Sequence, residues 1–335
     1  EYTVKGAVRE KTYEGFADLE VRGKCVRKIV CKPGKSKAVE QKEEVPETIR
    51  VLLTTTDFAA REHDEVKVRS EKPFVVKEGE KGKQYKGGEE FCVRAADMGE
   101  ETIKISPTEG TKLEITSIKR GERMPSYRGT LELKKSGEKI RVINELLLEQ
   151  YLYGVLPSEM PAEYPEAALR AQAVCARSYA KKQLQNDRLK EYDAQVDDSV
   201  AYQVYQSQPE DERANKAVDD TKGLVVCSGN TLASTYFFAT SCGVTTSSDS
   251  VAFSDKEIPY LAGQVQSIDI SDEKKAERDQ LAADTYAEDA LFCEFLEKEP
   301  DVLEKEEPWF RWNTTISLEQ MEKNINERLA ERCEK

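Results

Sequence analysis

ELLLEQYLYGVLPSEMPAEYPEAALRAQAVCARSYAKKQLQ, residues 145–185, is the stretch on which the reading of this chain turns. Its first part places Leu147, Leu148, Tyr151 and Leu152 on one side of a helix, with Gly154 as a stop. Pro157, Pro161 and Pro165 follow. Proline fixes φ and has no N–H to donate, so 154–165 is not expected to be one helix. That stiff frame holds a single glutamate between its first two prolines, Glu159. From Pro165, which suits a first turn, residues 166–185 read as the strongest helix of the chain, because alanine has the best helix propensity. Ala167, Ala171, Val174 and Ser178 give it a face of small residues on which another element can pack closely.

Upstream of this stretch the pattern is β. IRVLLTTT (49–56) is an apolar, β-branched run. EVKVRS, PFVVKEG, EEFCVRA, TIKIS and KLEITSIK are shorter candidates between clusters of Gly, Lys and Glu. TLELKKSGEKIRVIN (130–144) reads as a hairpin turning at Ser136-Gly137. Downstream, GLVVC (223–227) and TLASTYFFAT (231–240) read as a second hairpin, followed by the polar loop SCGVTTSSDS. Residues 272–307 are strongly acidic and suit a solvated, helical surface. WFRWNTTISLEQMEKNINERL reads as a strand and then a helix.

The expected division is a small β element with a linker over 1–45, a β-rich accessory domain over 46–144, and a catalytic core over 145–335. The expected fold class is α+β, with mixed β-rich elements around the central alanine-rich helix. A long substrate groove is expected past Glu159, walled by the helix 166–185, the hairpin 223–240 and the loop 241–249.

With 335 residues and a formal net charge of −13, the chain lacks the basic face of a nucleic-acid binder. It is also poorly suited to non-specific attraction to anionic surfaces. No run of about 18 apolar residues spans a membrane. The start at Glu1 reads as a piece cut from a longer protein. The eight cysteines form no CxxC pair, and His63 is the only histidine. Neither a zinc site nor a Ser–His–Asp or Cys–His centre is therefore expected, and no cofactor. Cys175 suits a helix core, while Cys25 and Cys31 flank an apparent strand and could be bridged or free.

Glu159 has a plain reading, as a charge that complements a helix dipole at a cost or gain of about 0.3–1 kcal/mol. The chemical reading needs it protonated near neutrality. Burial can raise a carboxyl by up to about 3–5 pKa units, which outweighs the dipole if Met160, Tyr164, Tyr153 and Leu156 keep the site dry.

LEQYLYGVLPSEMPAEYPEAALRAQAVCARSYA strongly resembles the signature of stage II sporulation protein D and the related LytB-type amidase enhancers. The resemblance extends through DDSVAYQVYQ (197–206), ANKAVDDTKGLVV (214–226), TYFFATSCGVTTSSDSV (235–251) and IPYL (258–261). It implies a peptidoglycan lytic transglycosylase acting on glycan strands freed of stem peptides, with the glutamate of SEMP, Glu159, as its catalytic residue. Supporting, glycan-binding roles would fall to Ser158, Gln172, Arg177, Gln203, Tyr205, Ser241 and Gly243. Arg177 could instead neutralise a carboxylate such as Asp198, and Gln203 and Tyr205 would alternate on a strand.

The resemblance further implies stage II sporulation proteins P and M as partners, and an extracytoplasmic place, membrane-anchored, at the engulfing septum. A non-catalytic wall-binding enhancer of an amidase is the rival expectation. The sequence departs from the family pattern at Val200, Ala201 and Tyr202, where some members bind zinc through Cys and His. It departs again at Phe238 (for His), Cys242 (for Gly) and Ala252-Phe253 (for Trp). None of these touches Glu159.

Overall fold

The computed structural model describes residues 17–22, 25–31, 47–108, 110–229, 231–248, 256, 258–267, 278, 280–281, 289–298 and 302–333. The chain is α+β and divides into two units, Glu1–Phe237 and Phe238–Lys335. The first unit holds strands β1 (Ala17–Arg22), β2 (Cys25–Cys31), β3 (Thr48–Leu53), β4 (Glu65–Arg69), β5 (Phe74–Glu78), β6 (Lys81–Tyr85), β7 (Glu90–Arg94) and β8 (Ile103–Pro107). They are followed by β9 (Leu113–Ile115), β10 (Ser126–Tyr127), β11 (Thr130–Ser136), β12 (Lys139–Leu147), β13 (Val196–Asp197), β14 (Cys227–Ser228) and β15 (Thr231–Leu232). Its helices are α1 (Leu148–Glu159), α2 (Glu166–Gln183) and α3 (Glu212–Asp220). The second unit contains α4 (Asp289–Glu297) and α5 (Leu318–Cys333).

A seven-stranded sheet runs β13-β3-β12-β11-β8-β5-β6, a four-stranded one β10-β9-β4-β7, and a third β15-β14-β1-β2. β3 reads as a continuous apolar run because both its faces are covered. Val51 and Leu53 face the main core with Ile140 and Val142, while Leu52 joins Ile143, Leu189 and Ala194 on the other side. The β11–β12 hairpin pairs Ser136 with Lys139. Its turn is therefore Gly137-Glu138, one residue beyond the expected position, with Gly137 at φ 62. β6, KGKQY, was not expected as a strand. It is the polar edge of the large sheet, where lysines discourage further pairing. Cys25 and Cys31 stand at opposite ends of β2, about 20 Å apart at strand rise.

α1 starts where β12 ends, at Leu148. Leu147, expected on the helix face, is exposed, whereas Leu148, Tyr151, Leu152, Val155 and Leu156 are buried. The buried stripe of α2 is Leu169, Ala173, Ala176 and Ala180, spaced at three and four residues. Ala167, expected on the packing face, is exposed. The hairpin expected over 223–240 shrinks to the two-residue strands β14 and β15. No strand precedes α5 over 312–317.

Candidate active site

α1 does not stop at Gly154. It runs through Gly154 and Pro157 and ends at Glu159, closed by the Met160 N–H on the Leu156 carbonyl at 3.0 Å. Pro157 has no N–H for the Tyr153 carbonyl one turn back, and the helix runs only two residues beyond it. The Ser158 hydroxyl donates to the Gly154 carbonyl at 2.7 Å. Gly154 is required for close approach. A Cβ there would lie 2.5 Å from the Tyr205 ring and 2.7 Å from the Gln206 side-chain amide. The 198–206 loop therefore crosses α1 at this glycine, and the Gln206 N–H bonds the Gly154 carbonyl at 3.1 Å.

Glu159 is half-buried at the carboxyl end of α1. Its Oε1 accepts the Val204 N–H at 2.6 Å. Desolvation raises its pKa above the ordinary value, and the Val204 N–H opposes that only in part. The partial negative charge of a helix C-terminus also disfavours the ionised form. Glu159 thus ends one helix; the plain reading, in which it complements the N-terminus of the next, does not hold. The expected dry wall is only partly present. Leu156 is buried and Met160 packs on the core, but Tyr164 is exposed. Tyr153 turns to α3, its hydroxyl donating to Asp219 at 2.6 Å.

The loop that meets Glu159 is pinned at Asp198. That carboxylate accepts the Thr54 N–H at 3.0 Å, the Thr54 hydroxyl at 2.7 Å and Arg120 Nη2 at 2.5 Å. Burial pushes its pKa up to about 6, against the pull of Arg120 and Thr54, so it is ionised at neutral pH. The expected pairing of Arg177 with Asp198 does not occur. Arg177, almost fully buried, forks onto Glu149 of α1 at 2.8 and 2.7 Å. It also donates to the Val218 carbonyl at 3.0 Å and the Leu224 carbonyl at 3.2 Å. Its donors are spent on locking α1, α2 and the end of α3 together.

Gln203 and Tyr205 do not alternate on a strand, since 203–205 is irregular. Both are buried. Tyr205 donates to Asn144 Oδ1 at 2.9 Å and lies between the rings of Tyr127 and Tyr151. As placed, it presents no face to a sugar. Gln203 Nε2 reaches the Ala176 carbonyl at 3.4 Å, and its Oε1 has no partner among the described residues. Gln172 is buried on α2.

Ser241 and Gly243 belong to the second unit and form a turn of their own. The Ser241 N–H donates to Glu304 Oε1 at 3.0 Å and its hydroxyl to Oε2, while the Gly243 N–H reaches Ser241 Oγ at 3.0 Å. Gly243 has φ +102, and a Cβ there would sit 3.3 Å from Val302. Asp249, Ala252 and Phe253 lie outside the described residues. Among the described residues no group of three or more His, Cys, Asp and Glu side chains could hold a metal ion. His63 is a core residue. Its Nε2 bonds the Leu53 carbonyl at 2.9 Å, and burial lowers its pKa, keeping it neutral.

The sequence reading missed Val204, Thr54, Arg120 and Glu304. Val204 acts through its backbone, which no side-chain pattern marks. The other three meet their partners across 144, 78 and 63 residues of chain.

Residues 136–227 match the model of the family described as stage II sporulation protein. Stage II sporulation protein D of Bacillus subtilis is 31% identical over 158 residues, covering 41% of this chain and 46% of that protein. The amidase enhancer of Bacillus subtilis is 36% identical over 110 residues, 33% of this chain and 14% of the relative. An uncharacterised protein of Brachyspira hyodysenteriae is 37% identical over 142 residues, 41% of this chain and 37% of the relative. The chain spans less than half the length of each of these relatives.

Proposed function

We propose, from the match of residues 136–227 to the stage II sporulation protein family and the likeness to stage II sporulation protein D and an amidase enhancer, that the chain is a peptidoglycan lytic transglycosylase with Glu159 as its single general acid and base. The observation that carries this reading is the condition of Glu159. Desolvation raises its pKa, one oxygen is held by the Val204 N–H, and among the described residues no cation is paired with it. Desolvation thereby favours the protonated form that a general acid needs.

In the proposed reaction Glu159 protonates the glycosidic oxygen as its bond to the anomeric carbon breaks. The carboxylate then takes the proton from the sugar's own 6-hydroxyl, whose oxygen closes onto that carbon. One C–O bond breaks and one forms, no water is consumed, and Glu159 ends protonated. A glycosidase that uses water or a covalent intermediate generally needs a second carboxyl about 5–9.5 Å away. The acidic pair of Asp197, at the end of β13, and Asp198, which begins the loop that meets Glu159, is already committed. Asp197 accepts Ser199 Oγ at 2.6 Å and Arg61 at 3.1 Å, and Asp198 is bound to Arg120 and Thr54. A one-carboxyl mechanism fits that arrangement.

The substrate in this reading is glycan freed of stem peptides, outside the cytoplasm, during engulfment. Stage II sporulation proteins P and M would be partners, and a membrane anchor would lie beyond this sequence. Among the described residues no helix is long and apolar enough to cross a membrane.

A second reading, a non-catalytic enhancer of an amidase, is favoured by the likeness to an amidase enhancer and by the inward packing of Arg177, Gln203 and Tyr205. Mass spectrometry of purified glycan strands after incubation separates the two. The transglycosylase yields 1,6-anhydro-muramic ends, and the enhancer leaves the strands uncut.

A further inference from the structure

We propose that the buried Arg120–Asp198 pair, with Thr54, is a positioning device for Glu159: it fixes the 198–206 loop so that the Val204 N–H holds Oε1 and leaves Oε2 to carry the acid proton. Only the consequence for turnover rests on the transglycosylase reading; the geometry stands apart from it.

The loop is tied at both ends. The Asp198 N–H bonds the Leu52 carbonyl of β3 at 3.2 Å, so the loop leaves the edge of the large sheet. The Tyr205 N–H returns to the Asp198 carbonyl at 3.1 Å, and the Gln206 N–H is fixed on Gly154 of α1. Val204 is the residue just before this closure, so its N–H direction is set one peptide away from Asp198. Tyr205 is itself clamped, its ring between Tyr127 and Tyr151 and its hydroxyl on Asn144. Arg123 donates to the Gln206 carbonyl.

The pair is sealed from solvent. The side chains of Arg120 and Asp198 are 1% and 0% exposed. Arg120 also donates to the Thr54 carbonyl at 3.0 Å and the Thr55 carbonyl at 2.7 Å, and lies 4.2 Å from the Phe58 ring centre. A buried ion pair is weak as a source of stability, and packed apolar residues often serve as well or better. What it supplies here is direction. Three donors on one carboxylate leave Asp198 a single orientation, and the loop follows. Misplacing a catalytic group by about 1 Å can cost on the order of 100-fold in rate, so small movements of Val204 matter.

The test follows the Val204 amide proton by NMR across pH in isotope-labelled protein. In the wild type that proton should shift with the same midpoint as the Glu159 carboxyl carbon. Glu159→Gln should abolish the shift; if the shift persists, the amide senses another group and the proposal fails. In Asp198→Asn the Val204 response should fall to less than half its amplitude while the remaining spectrum stays folded. An undiminished response would overturn the proposal. Should Asp198→Asn not fold, Thr54→Val removes one donor almost isosterically and should cut the amplitude measurably; no change there overturns it equally.

If the chain cleaves glycan, Asp198→Asn or Thr54→Val should lower kcat about tenfold with KM unchanged. A rise in KM alone would contradict positioning of the acid. Absence of 1,6-anhydro product from the wild type would sink the proposed function and leave the amide titration to decide this inference.

Discussion

Glu159 at the end of α1 and Asp198 just after β13 are both carboxyls that burial pushes above their ordinary values. Their partners differ. Asp198 has a guanidinium and two donors of Thr54, so it remains ionised at neutral pH although it is wholly enclosed. Glu159 is less buried, yet it has one neutral N–H and, among the described residues, no cation. At Asp198 a cation opposes the effect of burial; at Glu159 none of the described cations does. The same contrast holds for two arginines. Arg120 pairs with a fully sealed carboxylate, whereas Arg177 pairs with Glu149, whose side chain is 22% exposed. The first pair orders a loop next to Glu159, and the second braces helices.

The largest effect expected from breaking this contrast is in Glu159→Gln. The change is nearly isosteric and removes the titrating proton, so the fold should persist while production of anhydro ends falls by about 10²–10⁴-fold. A folded variant with full activity would remove Glu159 from the mechanism. Next comes Arg120→Met, which strands Asp198 inside the protein. Loss of one partner from a buried pair costs roughly 3–5 kcal/mol, and chemical denaturation should show it. Arg177→Met should cost less by the same measurement, because Glu149 can relax toward water. Equal losses would mean that exposure of the partner is not what separates the two pairs.

The smallest effect concerns pH and stability. Glu159 has a folded pKa above its unfolded one, near 4.5. The stability linked to its neutral form is therefore complete below about 4.5 and is lost as pH rises through the folded pKa. Glu159→Gln has no such loss. The difference in Tm, variant minus wild type, should be flat in acid and widen toward neutrality. A difference that shrinks as pH rises would mean that the carboxylate is favoured in the folded state.

Much of this was legible in the sequence where local chemistry decides the outcome. The alanine-rich α2 begins immediately after Pro165, which caps it, and β3, β4, β5, β7 and β8 sit on the apolar alternations that announce them. What failed were local rules overridden by packing. Gly154 suggests a helix stop, but its missing side chain makes room for Tyr205. Pro157 suggests a break, and the helix does end two residues after it, at Glu159. Tyr205 and Gln203 resemble sugar-binding groups by type, yet the loop turns both into the core. The donors that define Glu159 and Asp198 come from a backbone amide and from segments far away in the chain, which no periodicity records.

The contrast itself is tested most directly by titrating the Glu159 side-chain carboxyl in the folded protein, with carbon-13 NMR and Glu159→Gln to assign the resonance. The account predicts one transition with a midpoint above the ordinary 4.5, set by desolvation that the Val204 N–H does not cancel. A midpoint at or below 4.5 would contradict it, because desolvation would then not favour the protonated form of Glu159.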